Sequence, residues 1–348
     1  MNTIRDRPVL MLSTIHSSHS GRSGYGLLAQ YVKGAEFLNA RRADPGGGAS
    51  LFFARVARKF AFSRWYLGGS AELEWKAVHR LHAGFEGVVH SMWADHDLGY
   101  LDFFLNKKRQ KFCGTFHNCP DDFQHTIRFP SRLGKFDAVI LMSECQRPFF
   151  CNAGVPDEKI HVVLHGVDTE YFVPRRETTG DSIFTVISVG GFRRNFPLLR
   201  KVCNMVSDVK NIRFKIIAPT AWRTMFSNVP NADFFSGVND NELLASYQSA
   251  SCLLHTAEHA TANNAMLEAM ACGVPIIAER IGGIPEYATT ESSLLADQGD
   301  EVALAGAIRK LAQSPALRDS MGAAARKRAE TLAWPKVAER MTQIYQAL

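Results

Sequence analysis

Short apolar runs recur along the chain, separated by longer segments that carry helical patterns. In the first half they are "PVLMLS", "GVVHSM", "KFCGTF", "DAVILMS" and "HVVLHG". They are apolar throughout instead of alternating, the pattern of parallel strands covered on both faces. After a polar stretch, "FVPRRETTGDS", the rhythm restarts with "FTVISV", "RFKIIA", "ADFFSG", "SCLLHT" and "VPIIAE". Helical periods connect these runs. Leu27, Leu28, Tyr31 and Leu38 follow one behind the opening strand, Leu304, Ile308 and Leu311 another, and Val337, Met341, Ile344, Tyr345 and Leu348 a third. Two alternating β/α halves joined by a short polar linker predict two doubly wound domains facing one another. Ligands of such sheets bind at the carboxyl ends of the strands, which makes the cleft between the domains the expected site.

Composition narrows this picture without changing it. With 348 residues, 46% hydrophobic and 21% charged, the chain is long enough for two cores. No apolar run approaches the ~20 residues of a membrane-spanning helix, and the early charges precede only a strand-sized apolar segment, so no signal peptide is expected. The seven cysteines are odd in number and lack a C-x-x-C pair, which reads as reduced, cytosolic core residues. The formal net charge of +6 favours anionic partners but does not separate nucleic acid from sugar nucleotides or acidic lipid. Residues 50–71 interleave Arg55, Arg58, Lys59 and Arg64 with six aromatics and contain no acidic residue until Glu72. They suit a peripheral contact with an anionic membrane surface, the reception of an anionic acceptor, or a helix that packs its aromatics on the sheet and solvates its arginines.

The stretch Thr261–Tyr287, "TANNAMLEAMACGVPIIAERIGGIPEY", carries most of the chemistry. Thr261 or Asn263 can cap a helix, and with Asn264 they bring free N–H groups and the positive dipole end toward a diphosphate. Glu268, nearly two turns into that helix by this reading, can accept from a pair of sugar hydroxyls. Gly282 and Gly283 then allow backbone amides to approach a ligand closely. In "SVGGFRRNF", Gly190 and Gly191 precede Arg193 and Arg194, whose guanidinium groups suit phosphate. Near the N-terminus "HSSHSGRSGYG", with Gly24 and Gly26, offers a loop for phosphate or sugar oxygens, although its spacing alone is also that of an ordinary loop.

Several of these stretches resemble the retaining nucleotide-sugar glycosyltransferases of family 4, glycosyl transferases group 1. "LEAMACGVPIIAERIGGIPE" is similar to their signature, supported by "HGVDTEYFVP", "SGVNDNELLASYQSASCLLHT" and "WPKVAERMTQIY", with "GTFHNC" resembling the first-domain strand that ends in a histidine. The resemblance is strong over 160–348 and looser before it. It implies the GT-B fold, an α/β architecture of two facing Rossmann-like doubly wound domains. The expected domains are 1–174, on the acceptor side, and 182–334, holding the nucleotide sugar, with helix 335–348 packing back on the first. Glu268 matches the second signature glutamate and is implied to contact ribose. The first glutamate falls on Ala260, and Glu258 substitutes only with a two-residue bulge. Where the family places Arg and Lys, this chain has Gly191 and Phe196, so Arg193 and Arg194 are the expected replacements, one of them in solvent.

His117 is then expected beside the donor sugar, hydrogen-bonding a hydroxyl or stabilising charge at the anomeric carbon, although spacing alone favours a structural histidine. His90 and His255 have weaker claims. Asp95-His96-Asp97 spells a D-x-D that binds metal in a different fold, and here reads as loop. Asp121 and Asp122 are adjacent and diverge. The expected catalytic set is His117, Arg193, Arg194 and Glu268, without metal or further cofactor. The expected reaction is retaining transfer from a nucleoside diphosphate sugar to a glycan, lipid or small-molecule acceptor, with closure excluding water and no nucleic-acid partner. The alternatives are an inactive binding protein of the same fold, or an epimerase or phosphorylase.

Overall fold

The structure, a computed structural model, describes residues 7–15, 21–41, 58–175 and 183–348. The loop "DPGGGAS", residues 50–57 of the basic aromatic segment, residues 16–20 of the first glycine-rich loop and residues 176–182 of the linker lie outside the described residues.

The described residues form two six-stranded sheets, parallel throughout. The first contains β1 (Val9–Ile15), β2 (Glu36–Arg41), β3 (Gly87–Ser91), β4 (Gln110–Phe116), β5 (Ala138–Leu141) and β6 (Ile160–Val162) in the order β2-β1-β3-β4-β5-β6. The second contains β7 (Phe184–Val189), β8 (Ile212–Ile217), β9 (Ala232–Phe235), β10 (Cys252–His255), β11 (Ile276–Glu279) and β12 (Ser293–Ala296) in the order β12-β11-β10-β7-β8-β9. All ten expected runs supply strands. Two further strands, β2 and β12, lie at sheet edges, where burial is partial and an all-apolar run is not required.

β2 overturns one expected helix. The helical segment behind β1 ends at Tyr31, Val32 is extended at φ −84° and ψ 108°, and Gly34 takes φ +72°, so Leu38 lies in β2. A β-branched residue followed by a left-handed glycine breaks the helix that the leucine spacing suggested. In the basic aromatic segment, Arg58–Phe60 are helical, residues 61–66 form bends and an isolated bridge, and the next long helix begins at Gly68.

The contacts divide the chain into two units, residues 1–19, 24–165 and 334–348 in one, and 20–23 and 166–333 in the other. The core of the first is aromatic: Phe112 stacks on Phe136 at 4.3 Å, and Phe116 meets Phe136, Phe123 and Phe150 edge-on. Gly114 makes room for this, because a Cβ there would lie 2.3 Å from the Phe136 ring. The C-terminal helix Trp334–Ala347 completes this unit by burying Trp334, Val337, Met341, Ile344 and Tyr345. The core of the second unit joins Val186, Ile216, Leu254 and Ile277 of the sheet to Leu199, Val202, Leu304 and Ile308 of its helices. Each such side chain contributes about 1.5–3 kcal/mol on burial. Strand order reverses between β1 and β3 in one sheet and between β7 and β10 in the other, the points where such sheets bind ligands.

All seven cysteines are free thiols. Five are buried, but Cys151 is exposed and Cys145 partly so, which corrects the reading of the set as core residues.

Candidate active site

At the reversal in the second sheet, β7 runs into the Gly190–Asn195 turn and β10 into the loop that opens the Asn264–Ala271 helix. An antiparallel bridge between Arg194 and Ala257, and a bond from the Glu258 N–H to the Arg193 carbonyl at 3.0 Å, hold turn and loop together. Asn195 caps the following helix by accepting from the Leu198 N–H.

The structure separates the two arginines. Arg194 points inward: its Nε and Nη2 donate to the Val189 carbonyl at 3.0 and 2.8 Å, and Nη2 donates to Asn263 Oδ1 at 3.2 Å. Burial pulls it down to about 10, so the guanidinium remains charged at neutral pH. Arg193 is half-exposed, with Nη1 4.0 Å from Glu258. Its φ of +54° is the sole positive value for a non-glycine among the described residues. Gly190, at φ +100°, lies against Arg194, whose Nη2 is 3.0 Å from where a Cβ would sit.

The two positions where the resemblance places basic side chains are sterically filled. A Cβ at Gly191 would meet the Pro219 ring at 2.6 Å, so no arginine fits there unless Pro219 moves. Phe196 is a core residue stacked on Trp222 at 4.5 Å, which leaves no place for a lysine.

Asn263 settles the choice of cap, since its Oδ1 accepts from the Met266 N–H at 3.0 Å while holding Arg194. Asn264 begins the helix, and Thr261 is buried in the preceding loop. Glu268 is the fifth residue of the helix, a little over one turn from its start at 3.6 residues per turn, not nearly two. It is buried, and both of its oxygens are engaged. Oε1 accepts from the Ser23 hydroxyl at 2.6 Å, and Oε2 from the Tyr247 hydroxyl at 2.8 Å, both partners lying in the same unit. Burial raises the Glu268 carboxyl, and the two hydroxyl bonds oppose that rise. Neither Tyr247 nor Ser23 carries a spacing signal that would have marked it.

The double glycine packs against the preceding loop. Gly283 donates its N–H to the Ala260 carbonyl at 3.0 Å, and a Cβ on Gly282, at φ +48°, would fall 2.0 Å from that oxygen. The glycines let this turn close onto the loop at Ala260, where the resemblance expects a glutamate. Beside them, the buried carboxylate of Glu279 accepts from the Ala257 and Gly299 N–H groups. His255 ends β10 fully buried, its Nε2 without a hydrogen-bond partner, and burial holds it well below the usual imidazole range.

In the first unit His117 lies flat on Trp93, ring centroids 3.7 Å apart, with Tyr25 edge-on at 4.8 Å. Its Nε2 is 2.8 Å from the Met92 carbonyl, so Nε2 carries the proton. Burial holds the ring well below its ordinary pKa, and it is neutral. Gly24, at φ +96°, opens the short 3-10 turn that buries Tyr25 and contains Gly26. His90 is sealed in the core between Tyr345 Oη at 2.6 Å and Thr115 Oγ1 at 2.7 Å. Asp95 and Asp97 belong to a short helix, Ala94–Asp97, instead of a loop. Asp95 accepts from the His117 and Asn118 N–H groups and clamps that backbone, while Asp97 accepts from the Thr14 N–H and from the Thr14 and Ser70 hydroxyls. Asp121 and Asp122 lie in the first turn of the Pro120–Thr126 helix. Among the described residues no group of three or more His, Cys, Asp and Glu side chains is arranged to hold a metal ion.

Residues 226–328 match the family model for glycosyl transferases group 1. The chain is 26% identical to the MMP alpha-(1->4)-mannosyltransferase of Mycolicibacterium hassiacum over 55% of its own length, and spans 49%, about half, of that relative. Its fold matches the crystal structure of a glycosyltransferase from Rickettsia africae ESF-5, with a TM-score of 0.72 at 15% identity, covering 99% of this chain and 98% of that one. It also matches Anabaena Alr3699/HepE in complex with UDP and glucose, with a TM-score of 0.69 at 15% identity, covering 98% and 100%. The fold is GT-B, built from two Rossmann-like doubly wound units.

Proposed function

We propose that this protein transfers a hexosyl group from a nucleoside diphosphate sugar to an acceptor hydroxyl, with retention at the anomeric carbon. The observation that carries the reading is the cationic turn at the carboxyl ends of β7 and β10. Arg194 is tied to the N-cap of the Asn264–Ala271 helix, so a guanidinium and a helix N-terminus sit at the strand reversal. The family segment and a neighbour that holds UDP and glucose support it.

In this reading Arg193, half-exposed, meets the diphosphate, while Arg194, occupied by two acceptors, stiffens the turn and supplies a buried positive charge. Together they offset the charge on the leaving diphosphate without a metal. Glu268 takes the ribose hydroxyls by exchanging its bond with Ser23. His117, neutral, acts as a hydrogen-bonding group toward the donor sugar and not as a cation. Ala260 in place of the family's first glutamate favours a second reading, a protein that binds the sugar nucleotide without transferring it.

Titration with UDP-, GDP- and ADP-hexoses, followed by assay of released nucleotide, tests both. Binding of one donor with slow hydrolysis in the absence of acceptor is the expected result. Binding without release in any acceptor screen supports the second reading, and no binding of any donor sinks both.

A further inference from the structure

Three large apolar rings of the first unit stand in water together: Phe60 is 56% exposed, Phe103 61% and Phe104 53%. Phe103 and Phe104 are adjacent in the chain, and Phe60 lies two residues before Phe62, which shares Arg132 with Phe103. Arg132 lies 4.6 Å from the Phe103 ring and 5.4 Å from the Phe62 ring, and Arg128 reaches back to the Arg58 carbonyl at 3.4 Å. The region is basic. Arg58, Lys59, Lys107 and Lys108 are exposed around the rings, and Lys135 is partly so. The carboxylates within it are already matched: Asp102 is buried against Arg132 and Lys135, and Asp137 pairs with Lys107 and Lys111.

We infer that this face docks on an anionic lipid bilayer, with Phe60, Phe103 and Phe104 entering the headgroup boundary and the lysines meeting lipid phosphates. Isolated exposed apolar residues are ordinary, but three phenyl rings ringed by cations form the pattern of an interfacial anchor. The ring geometry favours a bilayer over single-stranded nucleic acid, which needs open aromatic faces for stacking. Cations already lie over two of the three rings: Lys135 Nζ is 3.6 Å from the Phe103 centroid, and Lys59 Nζ 5.9 Å from that of Phe60. The surface belongs to the first unit alone and does not rest on the donor assignment.

Flotation of the full chain with phosphatidylcholine vesicles, with and without phosphatidylglycerol, tests the inference. Binding is expected only with the anionic lipid, falling as salt rises. Each lysine removed (Lys59→Ala, Lys108→Ala) is expected to lower the partition coefficient about fivefold. The triple variant Phe60→Ser, Phe103→Ser, Phe104→Ser is expected to lose binding with its melting temperature unchanged, since none of these rings is buried. Absence of binding to anionic vesicles overturns the proposal, as does a folded triple variant that binds like the parent. Tighter binding to an RNA homopolymer than to vesicles, lost in the same variant, overturns it in favour of nucleic acid.

Discussion

Arg193 holds a left-handed backbone that costs an L-residue about 1–2 kcal/mol. Arg193→Gly relieves that strain and restores some backbone entropy to the unfolded chain, effects that partly cancel. Its melting temperature is therefore expected to hold or rise slightly. Its affinity for nucleoside diphosphate is expected to fall ten- to a hundredfold, the worth of about 1.5–3 kcal/mol for a charged hydrogen bond. Calorimetric titration with UDP and GDP, beside a melting curve, checks the split; equal diphosphate binding removes Arg193 from the site. Glu268→Gln addresses the neighbouring question. The amide offers one acceptor where the carboxylate serves two hydroxyls, and a loss of about 1–3 kcal/mol in nucleotide affinity is expected. If Glu268 holds ribose, dideoxyribose ligands lose a comparable amount in the parent and little more in the variant. Simple addition of the two losses removes Glu268 from the ribose. The pattern "FRR" marked both arginines as candidates, but which one turns inward was decided by the Val189 carbonyl and Asn263, partners that spacing does not reveal.

The Asn264–Ala271 helix tests whether its N-terminus serves the ligand or only the fold. Asn263→Ala removes the cap and the anchor of Arg194 together, and a loss of about 0.5–2 kcal/mol in stability is expected. Asn263→Asp keeps an acceptor at the cap and adds a favourable charge to both the helix dipole and Arg194. Its stability is expected to match or exceed the parent, while diphosphate affinity falls because a negative charge now stands where phosphate is to bind. Denaturation midpoints and titration of the two variants check this; unchanged diphosphate affinity in Asn263→Asp sinks the assignment. The helix itself was legible because small residues, a cap candidate and a following glycine bracket it. The purpose of Gly282 and Gly283 was not, because it depends on the Ala260 carbonyl lying against them, a contact between segments more than twenty residues apart.

At the scale of the whole molecule, the C-terminal helix is fastened to the first sheet through His90, whose burial without a counter-charge pulls it down to about 3 from 6.5. A histidine held lower when folded than when unfolded contributes stability above pH 6.5 that is lost as pH falls from there toward about 3. His90→Gln cannot titrate. The parent is expected to lose stability faster than this variant between pH 7 and 4, by up to a few kcal/mol, as read from denaturation midpoints. Parallel pH profiles refute the account. Glu74 and Asp95, each raised to about 7 by burial, act in the opposite sense but are present in both proteins and drop out of the comparison. The sequence alone determined ten of the twelve strands and the doubly wound class, because a parallel strand covered on both faces must be apolar along its length. It also determined the segment that carries the family signature. The tertiary structure decided the two further edge strands, β2 and β12, whose half-solvated faces permit mixed sequence, and the placement of the buried polar groups. Tyr247 and Ser23 meet Glu268, Pro219 excludes a side chain at Gly191, and His90 meets Tyr345, through contacts between residues far apart in the chain. A carboxylate or imidazole can be buried only where the fold supplies its partners, and those partners exist only once distant strands and helices have packed.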